Sequence, residues 1–160
     1  MADVPVTAPG HGAAGRGRPL KVGLMFPDTE REFAAGAARW ADLLAMAKLA
    51  EAVGFDSIWV RDHLVFHPHG MEGTDRTFIE PFITLPFLAG VTERIGLVAT
   101  ASTTYNDPYG IARRFGTLDH VSRGRASWNV VTTANAAAAA NFGFEHHPDP
   151  NLRYERAAEF

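Results

Sequence analysis

Hydrophobic positions along the chain switch repeatedly between two periods. Leu20 to Phe26 (LKVGLMF) is a short apolar run closed by Pro27 and Asp28, which predicts a buried strand. From Ala38 to Val53, Trp40, Leu43, Leu44, Ala47 and Ala50 recur at helical intervals, and Gly54 supplies the stop expected past a helix C-terminus. Phe55 to Val60 (FDSIWV) predicts the next strand, ending at Arg61-Asp62-His63, and a polar loop follows from about Leu64 to Thr77. Helical spacing returns from Glu80 to Thr92, with Pro81 in the first turn and Pro86 as an expected kink. Ile95 to Ala99 (IGLVA) predicts a third strand and Thr100 to Asn106 a polar loop. Asp107-Pro108 then opens a helix that runs to about Val121. Gly124 to Val131 (GRASWNVV) predicts a fourth strand, followed by a long loop to Pro150 and a new helix near Asn151.

Strand and helix alternating at this spacing predict parallel βαβ units with right-handed crossovers. Four such strands suit either half a barrel or a small open sheet. The closing RYERAAEF decides between them, because it reads as the first turns of an amphipathic helix that stops at Phe160 without a cap. The expected fold is therefore α/β, the N-terminal half of a TIM-type (β/α) barrel, truncated. Residues 20–160 form that half. Residues 1–19, rich in Gly, Ala and Pro, are expected to be a disordered extension.

Composition narrows the function classes. A net charge of −3 gives no electrostatic footprint for nucleic acid. With no cysteine there is no disulfide framework and no thiolate chemistry. Neither a signal-peptide core nor a membrane-spanning apolar stretch appears in the sequence, so a cytoplasmic address is expected. The seven histidines lack zinc spacing, and His67-Pro68-His69 has no carboxylate to complete a ligand set, so no metal site is expected. No G-x-G-x-x-G, P-loop or G-x-S-x-G motif is present.

Parallel β/α folds carry their chemistry at the C-terminal ends of the strands. Phe26-Pro27-Asp28 offers little beyond a turn. Arg61-Asp62-His63 offers a carboxylate and an imidazole that could bind a polar ring edge or exchange protons; the alternative is an ion pair between Asp62 and Arg61. Thr100 to Asn106 (TASTTYN) offers neutral donors and acceptors. These suit the dioxopyrimidine edge of a flavin, or a phosphate, or merely a self-satisfied turn. Asn129, within an otherwise apolar strand, must find partners if buried, whether as a structural group or as a ligand contact.

The stretch between Ile79 and Phe142, with TERIGL, TASTTYN, ARRF, LDH, GRA and WNVVT, closely resembles flavin monooxygenases of the nitrilotriacetate, dibenzothiophene-sulfone and pristinamycin-synthase type. These belong to the luciferase-like superfamily. The resemblance implies a TIM-type barrel that uses reduced FMN, supplied by a separate NAD(P)H-flavin reductase, and oxygen. Its small organic substrate is oxygenated at a carbon next to nitrogen or sulfur. It further implies that Asp62 is the flavin-contacting acid after the second strand and that Thr100 is the matching threonine of the third. Tyr154, in RYERA, is implied to hold the FMN phosphate region, and Asn129 is a further contact. No catalytic residue is assigned.

Two departures qualify this. Family members carry a histidine four residues before that tyrosine, where this chain has Pro150, so one cofactor contact is expected to be missing or replaced by His146 or His147. GFDSIWVRDHLVFHPHGMEG instead resembles the deazaflavin-dependent branch, which keeps hydride transfer on a deazaflavin open as an alternative. A non-catalytic flavin-binding stub is the third reading, and the fragment alone is expected neither to bind FMN tightly nor to turn over. Barrels of this superfamily often pair through helices near the sheet, so a homo-oligomer is compatible with the resemblance.

Overall fold

Burial alternates along each strand, and that alternation organises the molecule. The structure is a computed structural model that describes residues 20–27, 39–64 and 79–160. The expected N-terminal extension, Asp28, and the loop holding His67 to His69 lie outside the described residues. β1 (Gly23–Met25), β2 (Ser57–Val60), β3 (Gly96–Ser102) and β4 (Ala126–Val131) form one parallel sheet in the order β1-β2-β3-β4. The connections carry α1 (Trp40–Val53), α2 (Pro81–Ala89) and α3 (Pro108–Ser122). After β4 come a short α4 (Ala138–Asn141) and then α5 (Pro150–Glu159). This is the expected layout of half a β/α barrel.

Alternate strand residues face the helices. Ile58, Val60, Leu97 and Ala99 are fully buried on that side, against Leu43, Ala47 and Ala50 of α1, Leu85 and Leu88 of α2, and Leu118 of α3. Those helix positions keep the i, i+4, i+7 spacing of a core-facing stripe. The opposite, inner face carries the small and polar residues Gly23, Ser57, Gly96, Thr100, Ser102 and Asn129, with Val98 and Trp59 among them. Trp59 lies across this face and donates from Nε1 to Ser57 Oγ at 2.8 Å. A Cβ on Gly23 would sit 2.5 Å from that Nε1, so only glycine leaves room for the indole.

Two expected boundaries move. β3 continues through Thr100, Ala101 and Ser102, which pair with Asn129, Val130 and Val131; the inward-facing polar residues extend the strand rather than end it. The long loop after β4 contains α4. Pro86 lies inside α2, whose N-cap Glu80 accepts from the Ile83 N–H at 2.7 Å.

The N-terminal ends of the strands are stitched by charged groups. Arg125 donates to the carbonyl oxygens of Ser122, Ile95, Ala89 and Thr92 and to the Thr92 hydroxyl, all within 2.7–3.1 Å. Glu51 accepts the backbone N–H groups of Glu93, Arg94 and Ile95 at 2.7–3.2 Å. Burial alone would push the Glu51 carboxyl up. The three N–H donors, joined by the Arg94 charge, outweigh burial and hold it below its ordinary 4.5. A lowered carboxyl pKa gives stability that is complete above 4.5 and disappears as pH falls through the lower folded value. Glu51→Gln should therefore cost about 1–2 kcal/mol near neutral pH and nothing once the wild-type carboxyl is protonated. Urea denaturation across the pH range reads this directly; an equal loss at every pH would contradict it.

Candidate functional site

Arg61-Asp62-His63 leaves β2, Thr100 sits within β3, and Asn129 to Thr133 leave β4, so the three polar segments gather at one end of the sheet. There they line an open cavity of about 580 Å³, which Tyr154 of α5 and Ala138 of α4 also border. All four expected site residues, Asp62, Thr100, Asn129 and Tyr154, lie on this one cavity. Thr100 and Asn129 are register partners across β3 and β4, and Asn129 Nδ2 donates to Thr100 Oγ1 at 3.1 Å. Thr100 is nearly buried while Tyr154 is 67% exposed, so the cavity runs from a sheltered floor to an open rim. A second hollow of about 420 Å³ lies between α2 and α3, bordered by Phe82, Arg113 and Arg114, and includes none of these strand-end residues.

Asp62 is the electrostatically unusual group. Burial pushes its carboxyl up to about 6, and the like charge of Glu80 adds to this, while Arg114 pulls the other way. A carboxyl of that pKa is a mixture of acid and carboxylate in mildly acidic solution, so it can present either an O–H donor or an acceptor to a ring edge. Raised folded pKa means the folded state holds the proton more tightly than the unfolded chain. Stability therefore falls as pH rises between the ordinary 3.8 and about 6, and stays reduced above that. Two pKa units correspond to about 3 kcal/mol, which partial exposure reduces to about 1–2 kcal/mol. Asp62→Asn should raise the thermal midpoint at about pH 7.5 and leave it unchanged at about pH 4. A destabilised Asn variant at the higher pH would refute this reading.

The wall beyond Asn129 is fixed by groups that sequence reasoning missed. Thr133 adopts a left-handed backbone, φ +53°, uncommon for a β-branched residue and costing on the order of 1–3 kcal/mol. Its hydroxyl pairs with Ser102 Oγ at 2.6 Å, and Thr104 Oγ1 donates to Thr132 O at 2.8 Å. Arg153, buried on α5, donates from Nη1 to the carbonyl oxygens of Thr132 (2.9 Å) and Thr133 (2.6 Å). Arg156, one helical turn on, donates to Thr103 O at 2.8 Å and Asn106 O at 3.0 Å. The i, i+3 arginines flanking Tyr154 were the available signal, since they share one helix face.

The Pro150 departure has a local reason. Pro150 opens α5 behind Asp149, whose side chain accepts from the Asn151 N–H at 2.8 Å. The two neighbouring histidines differ in their surroundings. His147 has both ring nitrogens engaged, on Tyr105 OH and Thr133 O, and His146 is exposed beside Glu145. Among the described residues, no three His, Cys, Asp or Glu side chains cluster in a way that could hold a metal ion, and no helix is long and apolar enough to cross a membrane.

Comparison with known proteins adds the following. Residues 20–160 match the family model described as luciferase-like monooxygenase. The N-acetyl-S-(2-succino)cysteine monooxygenase of Bacillus subtilis (strain 168) is 48% identical over 119 residues, which make up 72% of this chain and 26% of that protein. Component A of the nitrilotriacetate monooxygenase of Aminobacter aminovorans is 56% identical over 90 residues, 56% of this chain and 20% of that one. A riboflavin lyase solved with modified FMN and riboflavin superposes with a TM-score of 0.74 at 29% identity, over 88% of this chain and 36% of its own. The chain thus spans about a quarter of the length of the curated relatives it matches.

Proposed function

The chain belongs to the luciferase-like monooxygenase family, and from that premise we propose that it supplies the first half of an FMN site in a flavin-dependent monooxygenase. The observation that carries the reading is the meeting of Asp62, Thr100, Asn129 and Tyr154 on one cavity at the strand ends. The donor set suits a flavin. A ring edge of alternating carbonyl and N–H groups needs neutral hydrogen-bonding partners, which Thr100 and Asn129 offer, and a carboxyl able to donate or accept, which Asp62 offers.

When bound, reduced FMN would supply the reaction with oxygen that oxygenates a small organic substrate at a carbon next to nitrogen or sulfur. The chain's own residues orient and shelter. Asn129 and Thr100 would hold the ring edge from the sheltered floor, Asp62 would donate to it or accept from it according to pH, and Tyr154 at the rim would hold the phosphate end. The relative named as a component A supports a separate NAD(P)H-flavin reductase as partner, in the cytoplasm where that reductant is kept. Its nitrilotriacetate and the N-acetyl-S-(2-succino)cysteine of the other relative support small, nitrogen- or sulfur-bearing substrates.

FMN titration followed by amide NMR of the 160-residue chain tests this reading. Shifts should concentrate at Asp62, Thr100, Asn129 and Tyr154 and saturate only above micromolar FMN, because the chain spans a minor part of its relatives' length. Thr100→Val or Asn129→Leu should weaken binding up to roughly tenfold, the loss expected for one hydrogen bond. Shifts confined to the α2–α3 hollow, or none at millimolar FMN, would refute it. A 5-deazaflavin that binds more tightly than FMN at the same residues would favour the hydride-transfer reading suggested by GFDSIWVRDH.

A further inference from the structure

His147 stands in the long β4–α5 connection, far in sequence from the groups it joins. Its Nε2 lies 3.0 Å from Thr133 O, and its Nδ1 lies 2.6 Å from Tyr105 OH. A carbonyl oxygen can only accept, so Nε2 must carry the hydrogen. In the neutral ring Nδ1 is then a lone pair, and the Tyr105 hydroxyl donates to it. The network thereby selects one tautomer.

Thr133 O accepts from His147 and also from Arg153 Nη1 at 2.6 Å, which occupies both lone pairs of the carbonyl. This is the residue whose backbone is left-handed, and Thr132, Thr133 and Asn135 border the cavity. Tyr105 is itself fixed, its ring stacked on Phe142 at 4.4 Å between centroids. At the far end of α4, Asn141 Nδ2 donates to Leu64 O at 3.0 Å, tying the same connection to the segment after β2. The β4–α5 connection therefore crosses the strand ends as a strap with fixed anchor points, and His147 is the one that meets the strained turn.

We propose that His147 is a positioning residue of the cavity: through Thr133, and with its proton held on Nε2 by Tyr105, it keeps the turn after β4 in the left-handed form that shapes the wall from Thr132 to Asn135. The role is hydrogen bonding with a defined polarity, not the filling of space. It holds whatever ligand the cavity takes.

Long-range 1H–15N NMR of the imidazole in the 160-residue chain, without flavin, tests this. The Nε2–H tautomer should exceed the Nδ1–H form by roughly tenfold or more. His147→Gln, which can donate to Thr133 O and accept from Tyr105, should keep the amide shifts of Thr132 to Asn135 close to wild type. His147→Leu, of similar size and apolar, should move them. A dominant Nδ1–H form, a Leu variant with unmoved wall amides, or a Gln variant displaced as far as Leu would each overturn the proposal. The tautomer reading needs no variant and decides the matter even if the Leu protein does not fold. Because no flavin enters the experiment, its failure is distinct from failure of the FMN reading.

Discussion

The parallel register of β3 on β4, which sets Thr100 opposite Asn129, is the constraint on which the site depends. Side chains alternate faces along a strand, so a slip of β4 by one residue would turn Asn129 toward the helices and Trp128 into the barrel interior. The register is held from the apolar side. Leu97 and Ala99 are fully buried in the helix-facing core, Ala126 packs against it, and Trp128 lies on Phe115 of α3 at 5.3 Å. Hydrophobic burial on one face of the sheet thus determines which polar groups meet on the other.

The two ends of the sheet divide their tasks accordingly. At the N-terminal ends, Arg125 and Glu51 satisfy backbone groups of the segments entering β3 and β4, and Asp56 accepts from the Val22 N–H at 2.7 Å. At the C-terminal ends, hydroxyls and arginines hold irregular backbone, including the strained Thr133, around an open cavity. The left-handed Thr133 and the raised carboxyl of Asp62 sit at this second end. Such features need surrounding structure to hold them, and they mark sites that bind.

Much of this was legible in the sequence, for identifiable reasons. Period changes and helix-start signals located the strands and long helices of the described residues, because burial on one face leaves its spacing in the residues. Asp62, Thr100 and Asn129 could be found by position at strand ends, and Tyr154 only through resemblance. The end of β3 was not legible: Thr100 and Ser102 read as loop because inward-facing polar residues in a half-barrel look like turn residues. His147, Arg153 and Thr133 were hidden for a different reason. Their roles depend on backbone carbonyls contributed by segments distant in sequence, and a carbonyl leaves no mark in the residue string.

The proposed function puts the flavin ring in the strand-end cavity rather than in the α2–α3 hollow. Photolabelling with an azido-substituted FMN, followed by peptide mapping, tests it most directly. Label should fall on the segments 61–64, 128–135 and 150–156 and be competed away by unmodified FMN. Competed label confined to the α2–α3 hollow around Arg113 and Arg114 would contradict it.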